Sequence, residues 1–321
     1  MFSKLRKMIL PMGILALGLL IAGCGGDSKK AEVPDLKELR ITYVKAPLNI
    51  PSIVEKKQQS FEKAFPGVKL TFPEIASGAK QTEAMAAGEL DIANALGGTS
   101  AILAAANGAD VKILGIYSRA PKAFTIMVKD PSIQSVKDLK GKKIGGPKGT
   151  ILHQVLLSAL AAEGMSAEDV EFVNMDIPPA VAALQSGSLD AALVAGPGVY
   201  QATQNGARIL KTGEGLVDAI IVIGVRGEFV KKHPSAAAKF MEVHREVLSF
   251  IKTNQAEAFK MTAEETGLSP EGVAAMASWY DFDPAVRPSD IEDLKKTQDF
   301  MIANGMLPKE KAIDIEKLFV K

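Results

Sequence analysis

Two short runs of this 321-residue chain carry residue types that can hold a small charged molecule without a metal. Gly97-Gly98-Thr99-Ser100 and Gly149-Thr150-Ile151-Leu152-His153 each place a hydroxyl where a glycine corner opens into an apolar helical run. The first N–H groups of a helix have no partner inside it and carry partial positive charge, so they bind anions. Thr or Ser at such a place also serves as a plain N-cap with no ligand. At Thr99 and Ser100 both readings stand. His153 falls on the first turn of its helix, where it either donates to an anion or faces solvent. The glycines of 145–149 lack the Gly-Lys-Ser/Thr ending of a phosphate loop and the Gly-x-Gly-x-x-Gly of a dinucleotide site, which argues against both. No nucleophile–base pair and no paired His/carboxylate metal motif stands at a recognised spacing. His244 lies beside an apolar stripe of Phe240, Val243, Val247, Phe250 and Ile251 and reads as a structural residue.

The elements that position these corners occur twice. Ala84 to Leu114 and Ala182 to Leu210 each run through an Ala-rich helix, a Gly-x-Leu-Asp turn and a short apolar strand. A glycine corner, a second small-residue helix, Asn-Gly-Ala and a closing strand follow. Gly88, Leu90 and Asp91 match Gly187, Leu189 and Asp190. Gly98 falls on Gly196, which Pro197 follows, and Asn107-Gly108-Ala109 falls on Asn205-Gly206-Ala207. Two copies are too few for a solenoid, so the repeat predicts two similar α/β lobes. In open α/β sheets ligands sit beyond the carboxyl ends of the strands, so two such corners facing each other make a cleft.

Periodicity supplies the rest. Strands are expected at Leu39–Val44, Val68–Phe72, Val111–Tyr117 and Phe124–Val128, and a fully buried one at Ala219–Val225. One helix is expected from about Pro51 to Phe65, and another over Ile151–Glu163 with Gly164 as its left-handed cap. Helices then fill the tail, the last capped by Ser289, after a loop that carries Trp279 and Tyr280. Those aromatics are expected to pack on the first lobe.

A formal net charge of +1 and the lack of a basic run interleaved with aromatics argue against a nucleic-acid partner. Cys24 is the sole cysteine, so no internal disulfide forms. Lys4, Arg6 and Lys7 precede an apolar stretch, Met8 to Leu20, that is short for a bilayer span of about 20 residues. Ile21-Ala22-Gly23-Cys24 resembles the lipobox of bacterial lipoproteins. The resemblance implies a signal peptide over 1–23, acylation of Cys24, and a polar tether over 24–37. The protein would then be a membrane-anchored lipoprotein facing the periplasm or cell exterior.

In their order along the chain, the motifs resemble the ABC-importer substrate-binding proteins of the nitrate, sulfonate and taurine group, which includes thiamine-precursor binders. The carriers are Ile41-Thr42-Tyr43-Val44, the M-x-A-G-E-L-D-I run ending at Ile92, V-K-I-L-G from Val111, V-K-D-L-K-G-K-K-I from Val136, G-T-x-x-H at 149–153, and G-x-L-D-A-A from Gly187. The resemblance implies an α/β, two-lobed periplasmic-binding-protein fold of type II. Two crossover hinge strands, near Ser118–Phe124 and Ala219–Gly224, would join lobe 1 (38–120 and 222–321) to lobe 2 (121–221) around a ligand cleft. By position it implies ligand contacts at Lys45, Ala46, Pro47, Thr99, Ser100, Arg119, Thr150, His153, Gly196 and Pro197. Lys45, Arg119, Lys122 and Lys148 are candidate sources of positive charge. Gly196 stands where taurine-type binders carry an acidic residue, which favours a simple small anion over an amine. The implied protein is a monomer without cofactor or metal, partnered by that anion and a membrane permease. The competing reading is an enzyme on the same fold, of the pyrimidine- or menaquinone-precursor type, with His153 as acid or base.

Overall fold

The computed structural model describes residues 36–45 and 48–320. The signal peptide, Cys24, most of the tether, and Ala46 and Pro47 lie outside them. Leu36 already packs in the core.

The first sheet starts with β1 (Glu38–Arg40), paired parallel to β2 (Lys69–Thr71). Single bridges carry the chain onward, Ile41 to Ile92 and Tyr43 to Glu74. Thus β1 lies beside β3 (Ile92–Gly97), which pairs antiparallel with β10 (Ile220–Arg226), and β10 pairs antiparallel with β4 (Val111–Arg119). With the bridge counted, the order is β2-β1-β3-β10-β4. The second sheet has the order β7-β6-β8-β5-β9. Its strands are β5 (Phe124–Val128), β6 (Lys143–Gly146), β7 (Glu171–Asn174), β8 (Ala191–Ala195) and β9 (Arg208–Thr212). Each sheet therefore reads second, first, third, a strand arriving from the other half, then fourth. The arriving strands, β10 and β5, follow the two expected crossovers. β5 is buried throughout and β10 along all but its last residue, as their unbroken apolar runs require.

The helices cover these sheets. In the first half they are α1 (Ile50–Lys57), α2 (Ser60–Ala64), α3 (Gly78–Ala86) and α4 (Gly98–Ala106). In the second they are α5 (Ile151–Ala162), α6 (Ile177–Ser186) and α7 (Pro197–Gln204). The tail adds α8 (Gly227–Lys232), α9 (Pro234–Thr253), α10 (Gln255–Thr266), α11 (Pro270–Ala277) and α12 (Pro288–Ala303).

The single helix expected over 51–65 is broken: Gln59 takes φ +54 between α1 and α2. The break swings Phe61 inward to stack on Phe240 of α9, ring centroids 4.8 Å apart. Ser289 does not cap the last helix. Arg287 is its N-cap residue, and the Asp290 carboxylate accepts the Arg287 N–H at 2.7 Å. His244 is fully buried, Nδ1 2.6 Å from Glu55 Oε1, while Glu55 Oε2 accepts from Asn94 Nδ2 at 2.8 Å. That network lies inside the first half, so His244 is structural. Tyr280 is buried there too, its hydroxyl accepting the Leu48 N–H at 3.2 Å.

The repeated turn has a specific job. Asp91 Oδ2 accepts the Arg40 N–H at 3.0 Å, and Asp190 Oδ2 accepts the Lys143 N–H at 2.8 Å. In return the Asp91 and Asp190 N–H groups donate to the carbonyls of Arg40 and Lys143. In both halves this aspartate ties the head of the third strand to the first strand. Gly88 and Gly187, at φ +74 and +78, make the left-handed turn before it.

Candidate ligand-binding site

β3 delivers the chain to the start of α4. The N-cap there is Gly97, not Thr99 or Ser100 as expected, because the backbone turns two residues before Thr99, at φ −62 and ψ 136. Gly98 then sits where a Cβ would lie 2.7 Å from Leu294 Cδ2 and 3.0 Å from the Ile220 carbonyl, so α12 and β10 close directly onto it. Thr99 and Ser100 become first-turn residues. Ser100 packs its hydroxyl against Gly78 at the start of α3. Thr99 is 2% exposed and its Oγ1 has no hydrogen-bond partner. A buried hydroxyl without a partner costs about 1–3 kcal/mol, so this atom is poised to gain from a ligand or an ordered water.

β6 delivers the chain to α5. Gly146 of β6 approaches Leu193 of β8 so closely that a Cβ would lie 2.5 Å from the Leu193 Cβ. The glycines here serve strand packing, not a phosphate loop. Thr150 is the N-cap residue, but its hydroxyl donates back to the Pro147 carbonyl at 2.9 Å instead of capping the first turn. The His153 ring packs against Phe172 of β7, tilted 31° with 4.7 Å between centroids, and its Nδ1 accepts the Gly149 N–H at 3.4 Å. Burial, helped by the Lys148 charge, pulls its pKa down to about 4. The ring is therefore neutral near pH 7, with its proton on Nε2.

The two helix starts face each other. A Cβ on Gly97 would lie 3.6 Å from Ile151 Cδ1, and one on Gly149 would lie 3.3 Å from Leu103 Cδ1. Beside them opens a crevice of about 230 Å³, mouth included. Gly98 and Thr99 of α4, Ile151 and Gln154 of α5, Asp218 to Ile220 at the second crossover, and Asp293, Leu294 and Thr297 of α12 line it. Ile151 and Gln154 are three apart on one helix face, Asp293 and Thr297 four apart on another. Gln154 Nε2 donates to Thr297 Oγ1 at 3.2 Å, joining the halves. The Asp218 carboxyl titrates above its ordinary range, first because it is buried and then because Asp293 lies within hydrogen-bonding reach. Lys296 offsets part of this and Asp290 adds to it.

The other expected residues are placed as follows. Lys45 pairs with Glu74 at 3.1 Å and Glu265 at 3.8 Å. Arg119 forks onto Asp290 at 2.6 and 2.5 Å, and its remaining N–H groups reach Asp281, the Asp283 carbonyl and the Ala285 carbonyl. All five of its donors are thereby taken. Lys122 pairs with Glu214 at 3.2 Å. Lys148 uses its backbone N–H on Asn174 Oδ1 at 2.9 Å. Gly196, at φ 60 and ψ −135, holds a conformation that only glycine adopts easily, and Pro197 opens α7 behind it. Among the described residues, Thr99 alone of the expected contacts lines the crevice, whereas Gln154, Asp218, Asp293 and Thr297 line it without having been singled out. Their one local signal was an aspartate heading the apolar β10 run. Among the described residues no group of three or more His, Cys, Asp or Glu is placed to hold a metal ion, and no helix is long and apolar enough to cross a membrane.

Comparison with known proteins gives a consistent result. The model of one family, NMT1/THI5 like, matches residues 47–258. A Bacillus subtilis (strain 168) protein named for aliphatic sulfonate binding is 31% identical over 310 residues, covering 94% of this chain and 92% of its own. Its Escherichia coli (strain K12) namesake is 29% identical over 287 residues, 87% of each chain. The solved alkanesulfonate-binding protein SsuA from Xanthomonas axonopodis pv. citri, bound to MOPS, aligns with a TM-score of 0.81 at 28% identity, covering 88% of this chain and 98% of its own.

Proposed function

This chain belongs to the NMT1/THI5-like family and has the α/β periplasmic-binding-protein fold, and on that premise we propose that it captures a small organic sulfonate and delivers it to an ABC permease. The observation that carries the reading is the pair of facing helix starts, with the buried Thr99 hydroxyl between them left without a partner. A sulfonate spreads one charge over three acceptor oxygens, which suits a cluster of N–H donors and a hydroxyl. The names of the relatives above, all for sulfonate binding, support the ligand class. The two lobes would be 38–120 with 222–321, and 121–221, closing by rotation about the two crossovers. Cys24 would carry the lipid anchor of a protein that faces the periplasm or the cell exterior.

No observation at His153 favours the enzyme reading. Its ring is neutral, packed against Phe172, and its acceptor nitrogen is occupied.

A thermal-shift series of the protein against alkyl and aryl sulfonates, nitrate, taurine, pyrimidines and carboxylates tests the proposal. A sulfonate at a hundredfold its Kd adds about 2.7 kcal/mol and raises the melting temperature. Thr99→Val weakens that sulfonate about tenfold, the worth of one hydrogen bond to a charged group. A series in which no sulfonate shifts the melting temperature, while another class does, would sink the assignment.

A further inference from the structure

Among the described residues, three other than glycine hold a left-handed backbone: Gln59, Ala95 and Ala219, at φ 54, 73 and 50. Gln59 makes the break between α1 and α2. Ala95 belongs to a bulge. Val222 of β10 pairs with Leu96 and Gly224 with Ala93, so Asn94 and Ala95 together stand opposite Ile223. Ala219 lies in neither a turn nor a strand. An L-residue in this conformation crowds its Cβ against its own carbonyl side, and alanine has no polar side chain to offset that locally. Such a backbone persists only where its surroundings impose it, and it gathers at functional places.

The surroundings of Ala219 are the passage between the halves. On its far side Ile220 is paired with Arg119, and the Ile220 carbonyl closes on Gly98 at the start of α4. On its near side the Val217 N–H donates to the Gly213 carbonyl, and the Gly213 N–H to the Phe124 carbonyl of β5, both at 2.9 Å. A Cβ on Gly213 would lie 3.1 Å from Val155 of α5. Residues 213–217 thus belong to the second half and Ile220 to the first. Only Asp218 and Ala219 stand between these anchorages. The other crossover is stiffer. Pro121 fixes its own φ and restricts Ala120 before it, while Asp281 and Asp290 hold Arg119. The two crossovers also touch, since a Cβ on Gly213 would lie 2.9 Å from the Pro121 carbonyl, and Lys122 pairs with Glu214.

We propose that Ala219 is a spring in the second crossover: the joined arrangement of the halves imposes its left-handed backbone, and parting of the halves releases it to the extended region. The inference rests on the closing motion given under the proposed function and adds a direction to it. The halves are together in this structure, with Gly97 against Ile151 and Gly149 against Leu103, so the strain is seen in the joined state. It opposes closure, keeps the unliganded protein open, and holds affinity below what the contacts in the cleft alone would give. The penalty of an L-residue here corresponds to about five- to thirtyfold in an equilibrium constant.

Ala219→Gly keeps the left-handed backbone accessible and removes the penalty. The test compares this variant of the full chain with the unaltered protein in two ways: small-angle scattering without ligand, and titration with the sulfonate that shifts the melting temperature most. The expected result is a smaller radius of gyration without ligand and an affinity about fivefold or more tighter, because more of the protein is already able to close. Ala95→Gly, at a bulge wholly inside the first half, leaves both readouts where they are. An unchanged radius and affinity for Ala219→Gly overturns the proposal, since the torsion is then the same in both arrangements. A weaker affinity overturns it too, because the glycine then loosens the crossover instead of relieving it. So does equal tightening by Ala95→Gly, which makes relief within the first half sufficient. Should no sulfonate bind, the ligand assignment fails by itself, and the unliganded radius still decides whether Ala219 is the spring.

Discussion

His153 and Arg119 share a property: each is a polar residue whose hydrogen-bonding capacity the fold has already used. The imidazole lies on Phe172 and accepts from Gly149, with its pKa drawn down to about 4 against an ordinary 6.5. As pH falls from 6.5 the unfolded chain protonates this residue first, while the folded chain resists until about pH 4. The unfolded state binds more protons across that window, so stability declines through it, by roughly 2–4 kcal/mol from this residue, and is unaffected above it. Urea melts at several pH values, compared with His153→Gln, measure this difference. Equal slopes for the two proteins would show the ring to be solvated after all. Arg119 binds Asp290 with both prongs, and Asp290 is 2% exposed. Arg119→Lys keeps the charge but not the fork, and is expected to cost about 2–3 kcal/mol. Sulfonate affinity of the folded protein is expected to stay unchanged. A variant that keeps its stability and loses its ligand would instead place Arg119 on the ligand.

At the scale of elements, the two Gly-x-Leu-Asp turns are alike in backbone and unlike in energy. Asp91 accepts from Arg40 Nε at 2.9 Å and Arg226 Nη2 at 2.5 Å besides the strand N–H, and its side chain is 1% exposed. Asp190 holds the strand N–H and a distant Lys142 at 3.7 Å, with its side chain 35% exposed. Asp91→Ala is expected to lose about 3–5 kcal/mol, since two guanidinium groups are left beside an apolar hole, and Asp190→Ala about 1 kcal/mol. Chemical denaturation of both variants decides it, and similar losses would mean that the backbone bond alone carries the turn. The recurrence was legible in the sequence because the turn demands a residue tolerant of positive φ and an acceptor at a fixed distance after it. The break at Gln59 was not, because a non-glycine left-handed residue leaves no mark on the apolar spacing that runs through it. The placement of Gln154, Asp218, Asp293 and Thr297 was not legible either. They lie on separate segments, and only the packing of α12 and the second crossover against α5 brings them together. Thr99 could be singled out because a hydroxyl after a glycine corner is a local pattern, whereas its lack of a partner is a tertiary fact.

For the whole molecule, the quantity that matters is how often the halves are together. Among the described residues their polar contacts include Gln154 with Thr297 and Lys80 with Asp176 at 3.7 Å, and they also meet at Gly97 with Ile151, Gly149 with Leu103 and Gly272 with Tyr200. Exposed or single polar contacts of this kind contribute little each, so if the halves close as proposed, the open and closed forms would differ by only a few kcal/mol and ligand would decide between them. Gly97 offers a way to shift that balance. Its φ of −62 is open to any L-residue, and a Cβ there meets Ile151 of the other half at an ordinary 3.6 Å. A Leu extends past that point into the space Ile151 occupies, while within its own half its Cβ meets only Thr99 Oγ1, at an ordinary 3.8 Å. Gly97→Leu is therefore expected to lower the unliganded melting temperature by only a few degrees, the cost of a poorer N-cap, and to weaken sulfonate tenfold or more, because apparent affinity scales with the fraction able to close. Small-angle scattering at saturating ligand for the unaltered protein should show the variant with the larger radius of gyration. Ile151→Ala in the same chain removes the obstruction and is expected to restore most of the affinity. If it restores none, the two corners do not meet in the liganded protein, and the closing motion assigned to the crossovers fails with them.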